Sequence, residues 1–280
     1  MPVDARHFIR RLQGGAQAHL LEAVDGHYYV VKFINNPQHR RILTNEWLAS
    51  AFLRLLGIAT PEVAMVRVSA EFLERNPDAH VQRGAHREAL KPGWQFGSRY
   101  PGNPKKAGVY DSLPAGLLAR VENLDEFLGV LAFDKWVGNA DSRQAVFFRP
   151  NSRPCPHKSE APWVQRGLVA QMVDNGHIFE GADWRFSDSP MHGLYSRRTV
   201  YSSVRGLSSF EPWLDLIVNF GEDVVDKALK EVPGSWLEGD EDEIERLLER
   251  LMRRRKRVPE LIEASLNAVS NLFPNWGSRP

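Results

Sequence analysis

Cysteine is almost absent from this 280-residue chain: the single one, Cys155, has no partner within the molecule, so an internal disulfide framework is excluded. The nine histidines never fall beside cysteine or one another at zinc-ligand spacing, which leaves no structural zinc motif. A reducing, cytoplasmic setting is the expectation. Long apolar runs are missing as well; none approaches the ~18 residues of a membrane span. Met1 to Arg11 carries Asp4, Arg6, His7, Arg10 and Arg11 and lacks the apolar stretch of a signal peptide. Nor is there an excess of either charge. Thirty-six basic residues against thirty-five acidic ones leave a net +1, so no global field holds a polyanion, and neither a membrane nor direct nucleic-acid binding is expected. No internal repeat or low-complexity tract occurs.

What is present is a globular composition. With 42% hydrophobic and 25% charged residues, a chain of this length buries roughly three quarters of its unfolded surface, as about two domains or one two-lobed unit. Short apolar runs from Phe8 to Leu12, Ala18 to Val24 and Tyr28 to Ile34, with Asp25-Gly26 as a hairpin signal, predict three antiparallel strands. Pro37 ends that sheet. Leu48, Phe52, Leu55 and Leu56 line one helical face that stops at Gly57, and Ile58 to Val68 returns as a loop and a strand. Between about Ala70 and Pro114 the pattern fades into Gly and Pro punctuation, read as a connection, with the boundary near Tyr100. The expected division is therefore 1–100 and 101–280. The second part opens with a helix through Leu124, Phe127, Leu128 and Leu131 to Val137, interrupted at Gly138-Asn139. Ala145 to Phe148 and Leu168 to Val173 read as strands paired in a hairpin, across a loop holding Pro150, Pro154, Pro156 and Pro162. From about Trp213 onward the chain reads as mostly helical.

Several residues in this frame carry chemistry. Gly14-Gly15, in a tight turn between strands, lets backbone N–H groups approach an anion such as a triphosphate; an ordinary hairpin turn uses the same residues. Lys32 interrupts an apolar strand, where its ammonium needs either an anionic partner or an edge position reaching water. Glu46 flanks the helical stripe and faces either the sheet or solvent. Asp141 follows the interrupted helix and Asp174 follows a strand. If 145–148 pairs antiparallel with 168–173, both carboxylates project from one end of the hairpin. Either acid alone is a common turn former; together they suit a cation. Mg²⁺ takes hard oxygen ligands shared with substrate phosphates, which leaves one acid to orient a hydroxyl nucleophile: a phosphotransfer constellation.

The order of these features resembles a protein-kinase-like fold, an α+β architecture with an antiparallel-sheet N-lobe and a mainly helical C-lobe. The local wording resembles the HipA-like kinases more closely than eukaryotic protein kinases, over roughly Leu12 to Gly181. The resemblance rests on Gly14-Gly15-Ala16-Gln17-Ala18-His19-Leu20, Tyr29-Val30-Val31-Lys32-Phe33, Asn45-Glu46, Pro61-Glu62-Val63, Asn139-Ala140-Asp141 and Val173-Asp174-Asn175-Gly176-His177. It implies that Lys32 holds the α- and β-phosphates of ATP, that Glu46 fixes the lysine, and that Gly14, Gly15, Ala16 and Gln17 cover the phosphates. It further implies Asp141 as the catalytic aspartate, Asp174 as a magnesium ligand with Asn175-Gly176 in place of Phe-Gly, and transfer of the γ-phosphoryl to a hydroxyl acceptor, a protein Ser or Thr in the family.

The chain departs from that pattern at two positions. Val146 stands where the family has a metal-binding asparagine, and Gln144, two residues earlier, either supplies the missing oxygen or is a loop amide. Arg143 replaces the usual histidine. Two other readings follow: a non-catalytic nucleotide sensor acting through a partner, with Val146 recording lost metal chemistry, and a kinase for a small molecule. Trp94, Phe96 and Tyr100 either frame an adenine or pack in a core. His177 reads as a structural histidine or a supporting partner of Asp174. Arg253-Arg254-Arg255-Lys256-Arg257 reads as a solvated helix face rather than a nucleic-acid contact, since it follows Glu241 to Glu249 in the same helix.

Overall fold

In the computed structural model the three expected strands are present, but the first begins at Pro2 rather than at Phe8 and ends before Leu12. β1 (Pro2–Arg11), β2 (His19–Ala23) and β3 (Tyr28–Lys32) pair antiparallel, and Gly26 at φ 78° turns the hairpin between the last two. The structure describes residues 2–150 and 167–278; Cys155, Pro154, Pro156 and Pro162 lie outside the described residues. Beyond Pro37, α1 (Arg41–Leu55) and β4 (Val63–Val68) follow, and β4 runs parallel to β1.

The region read as a connection is instead structured. It contains α2 (Ala70–Arg75), the hairpin of β5 (His80–Arg83) and β6 (His86–Ala89), and β7 (Gly93–Arg99), which lies between β3 and β4 and closes a five-stranded barrel β1-β2-β3-β7-β4. The apolar pattern fails in β7 for physical reasons. At Gly97 a Cβ would lie 2.5 Å from Val66 Cγ2, so only glycine fits there. Gln95 is fully buried because its amide accepts from the Ile34 N–H at 2.8 Å and donates to the Lys91 carbonyl at 2.9 Å.

α1 also differs from expectation. Leu48 and Phe52 are buried, but Leu55 is 54% exposed. The helix is packed on almost all sides, from Ile42 to Leu53, because it lies between the barrel and the helical remainder, so no single stripe defines its inner face.

After the barrel come β8 (Val109–Tyr110), α3 (Ala115–Leu118) and α4 (Glu126–Val137), whose C-terminus turns through Gly138 in the left-handed region. β9 (Gln144–Phe148) and β10 (Val169–Val173) form the expected antiparallel hairpin, in register Gln144 opposite Val173 and Val146 opposite Gln171, in a sheet ordered β10-β9-β8. Ala145, Phe147, Ala170 and Met172 point into the helical core. Helices α5 (Trp213–Val218), α6 (Glu222–Lys230), α7 (Gly234–Leu237), α8 (Glu241–Arg254) and α9 (Val258–Ala268) complete that core. Among the described residues no helix is long and apolar enough to cross a membrane.

The basic run is a solvated face only in part: Arg253, Lys256 and Arg257 are exposed, whereas Arg254 turns inward. Arg254 is buried and donates to the carbonyls of Trp136 (3.1 Å) and Lys135 (3.1 Å) and to Asp188 (2.7 Å), satisfying the open end of α4. Arg255 donates to the Phe220 carbonyl, and Arg257 reaches Asp188 at 2.9 Å. Acidic residues in the first turn of α8 and basic ones in its last match the helix dipole, and Arg254 of that last turn is built into the fold.

The barrel supplies one titration. His19 is fully buried between the rings of Phe8 and Phe33, at centroid distances of 5.9 and 5.3 Å. Burial pushes its pKa down to about 4. The unfolded chain binds this proton near pH 6.5 and the folded chain does not, so stability falls as pH drops from 6.5 toward 4. The expected loss is about 3 kcal/mol. Denaturation midpoints of the wild type and His19→Gln across that window check it; parallel curves would exclude His19 as the source.

Candidate active site

Strand β3 carries Lys32 into the interior, where its side chain is only 8% exposed. The ammonium pairs with Glu46 of α1 and donates to Asp174 Oδ1 at 2.6 Å. Of the two readings of Lys32, the one with an anionic partner is the one observed. Burial opposes its charge, yet Glu46 and Asp174 outweigh burial and raise its pKa. In return, the nearby ammonium of Lys32 is the main cause holding Asp174 below its ordinary value. One cation thus joins the barrel, α1 and the loop after β10.

That loop is drawn tightly against α1. Gly176 sits where a Cβ would lie 2.6 Å from Ile42 Cγ2, so glycine is required for the approach. The buried amide of Asn45, next to Glu46, donates to the carbonyls of Gly176 (2.8 Å), Ile178 (3.1 Å) and Gly181 (2.8 Å), and accepts from the Trp184 indole at 2.8 Å. All its hydrogen-bonding capacity on the nitrogen is satisfied within one loop. Asp174 itself sits at φ 57°.

Asp141 lies between α4 and β9, half-buried. Its N–H donates to Asn139 Oδ1 (3.2 Å), and its Oδ1 accepts from the Ser142 N–H (2.7 Å). The hairpin register brings Asp141, three residues before Gln144, and Asp174, one residue after Val173, to the same end. The two loops are also joined directly, since Ala140 N–H donates to the His177 carbonyl at 3.0 Å. Arg143 completes the junction. It forms a fully buried bidentate pair with Asp134, with Nε donating to Oδ2 at 2.8 Å, and its Nη1 reaches Asn175 Oδ1 (2.6 Å) and the Val173 carbonyl (3.2 Å). Asn139 donates to Asp134 Oδ1 at 3.0 Å. Burial disfavours the guanidinium charge, and the Asp134 carboxylate overcomes it and raises the Arg143 pKa.

The turn between β1 and β2 has Gly14 at φ 117° and Gln17 at φ 46°, with Gln17 N–H donating to the Gly14 carbonyl at 3.1 Å. A Cβ on Gly15 would lie 2.6 Å from Gln38 Nε2, whose amide in turn contacts His177 Nε2 at 3.0 Å. Ala16 is buried. The Gln17 side chain donates to the Gln82 carbonyl at 2.8 Å and accepts from Gln82 N–H at 2.7 Å, which tethers the turn to the β5–β6 hairpin. Gln144 is exposed and shares the outward face of the hairpin with Val173 and with half-buried Val146. Of the aromatic trio, Phe96 packs in the core, and the Trp94 carbonyl accepts from the Trp236 indole at 2.8 Å. A cavity of about 1010 Å³ opens below the chain that leaves β7, lined by Arg99, Pro101, Tyr110, Glu126, Phe148 and Gln171; Lys32 and Asp174 lie outside it.

The carboxylate of Asp174 and the side-chain amide of Gln144 offer hard oxygen atoms of the kind a divalent cation takes. Among the described residues, no group of three or more His, Cys, Asp or Glu side chains is placed to hold an ion unaided. This donor set fits an ion whose remaining ligands come from phosphate and water. Sequence reasoning gave no role to Asp134, Asn139 or Asn45 and treated Arg143 only as a departure. The available signal was Asp134, a carboxylate inside an otherwise largely apolar helix, with Arg143 nine residues later to pair with it.

Comparison with known proteins places the chain in a family and a fold. A family model of HipA-like kinases matches residues 6–151, a stretch that includes Lys32, Glu46 and Asp141 and stops short of Asp174. No curated protein matches the chain. Among solved structures, the Golgi casein kinase aligns over 95% of this chain and 74% of its own, with a TM-score of 0.53 at 12% identity. A crystal structure of the Golgi casein kinase with Mn/ADP bound aligns over the same shares, with a TM-score of 0.50 at 13% identity. At such identity the likeness establishes a protein-kinase-like fold.

Proposed function

Because the chain belongs to the HipA-like kinase family, we propose that it is an ATP-dependent phosphotransferase that moves the γ-phosphoryl group to a hydroxyl acceptor, with a protein serine or threonine as the acceptor class. The observation that carries this reading is the meeting of Lys32 with Glu46 and Asp174. ATP binds between a barrel lobe, residues 1–100, and a mainly helical lobe, residues 101–280. Gly14, Gly15, Ala16 and Gln17 cover the phosphates through backbone N–H groups. Lys32, held by Glu46, contacts the α- and β-phosphates. Asp174 and Gln144 hold Mg²⁺, which neutralises phosphate charge when bound. Gln144 is favoured over Val146 because it stands opposite Val173, next to Asp174. Asp141 orients the acceptor hydroxyl and accepts its proton. Positioning and electrostatics supply the acceleration.

A second reading, a nucleotide sensor without turnover, is favoured by Val146 alone, whose side chain has no oxygen. One titration separates the two. Ligand binding stabilises by RT ln(1 + [L]/Kd), about 2.7 kcal/mol at a hundredfold excess over Kd. The enzyme is expected to show ATP stabilisation that requires Mg²⁺, together with ADP production. Stabilisation without Mg²⁺ and without turnover favours the sensor, and the absence of any nucleotide effect overturns both.

A further inference from the structure

Helix α1 begins with a feature that helix electrostatics disfavours. Arg40 and Arg41 stand at its N-terminus, where the macrodipole is positive, and its first turn contains no acid. The compensation comes from the far end of the chain. Arg41 donates to Asp240 through Nη2 (2.6 Å) and Nε (3.0 Å), and to Glu243 Oε1 through Nη1 (3.2 Å). Arg40 Nη2 reaches Asp240 Oδ2 (2.8 Å) and the carbonyls of Leu237 (3.0 Å) and Glu238 (2.9 Å). The pair is largely withdrawn from water, with side chains 14% exposed at Arg41 and 13% at Asp240, and hydrogen bonding from Arg41 lowers the Asp240 pKa. This is a bidentate, low-exposure contact within a network, the geometry in which an ion pair carries energy.

The same guanidinium also reaches the loop beyond Asp174. Arg41 Nη1 donates to the Ala182 carbonyl at 2.9 Å, and its Cζ lies 4.3 Å from the Trp184 ring centroid. One turn further along α1, Asn45 binds that loop, and then Trp47 packs edge-on against Trp236 at 6.2 Å. Glu46 lies between these two anchors, so the helix cannot shift along its axis without breaking contacts to α7, α8 and the loop.

We propose that Asp240 and Glu243 are positioning residues that act through Arg41 to hold α1 where Glu46 closes on Lys32, so that this helix is set by the C-terminal helices of the same chain. The consequence for nucleotide binding rests on the function proposed above.

The test is hydrogen exchange across residues 41–55 in the whole chain, together with affinities for Mg-ATP and for adenosine, which has no phosphates for Lys32. Asp240→Ala should speed exchange in α1 while leaving α9 unchanged, and weaken Mg-ATP about tenfold with adenosine held within about twofold. Asp240→Asn, which keeps an acceptor and removes the charge, should fall between. Unaltered α1 exchange in Asp240→Ala overturns the proposal, as does an equal loss for both ligands. If the wild type binds neither ligand, the kinase reading fails and the exchange data still decide the clamp.

Discussion

Asp141→Asn is expected to lower phosphoryl transfer by about 10²- to 10⁴-fold while Mg-ATP affinity changes little. The substitution is close to isosteric, and the local geometry tolerates it. The contact that shapes the loop runs from the Ser142 N–H to Asp141 Oδ1 at 2.7 Å, and an asparagine carbonyl accepts the same bond. The Asp141 N–H to Asn139 bond involves the backbone and remains. What disappears is the anionic oxygen that, in the proposed mechanism, orients the acceptor hydroxyl and takes its proton. Nucleotide contacts belong to Lys32, Asp174 and the Gly14–Gln17 turn in the proposed arrangement. Single-turnover transfer alongside calorimetric Mg-ATP binding reads the two quantities separately. Transfer at the wild-type rate would falsify the assignment of Asp141, while a parallel loss of binding would make it a structural residue of the loop.

The parts of this arrangement that were legible in the sequence are those where local chemistry conflicts with its surroundings. Lys32 stood out because an ammonium in the run Val30-Val31-Lys32-Phe33 needs either an anion or an edge position that reaches water, and the structure supplies two anions. The β9–β10 hairpin was legible from two short apolar runs, and its register is the one that brings both acids to one end. Strand β7 was hidden because its fit depends on neighbours: Gly97 makes room for Val66, and Gln95 satisfies backbone groups from two other segments. Burial of Arg254 within the basic run was hidden for the same reason, since the carbonyls that it caps belong to α4, more than a hundred residues earlier. Leu55 fitted a helical stripe, but a helix enclosed on nearly every side has no stripe to detect. Periodicity reports a single apolar face; it carries no information about polar groups that pair across the fold.

Arg143 is the clearest case of such pairing, and Arg143→Leu is expected to cost about 3–5 kcal/mol of stability. The substitution removes a cation that neutralises a carboxylate with no access to water, because Asp134 is 0% exposed and its remaining side-chain partner is the neutral amide of Asn139. It also strips a donor from Asn175 Oδ1 and from the Val173 carbonyl, the two residues that flank Asp174. The penalty therefore falls on both loops of the candidate site at once. Arg143→Lys should recover only part of the loss, since an ammonium cannot reproduce the fork that meets both oxygens of Asp134 while also reaching Asn175. Arg143→Leu combined with Asp134→Leu should be more stable than Arg143→Leu alone, because the dominant cost is the stranded charge rather than the missing attraction. Urea denaturation of the three variants measures these differences. A loss below about 1 kcal/mol in Arg143→Leu, or a double variant weaker than the single one, would show that the two loops are held together by something other than this ion pair.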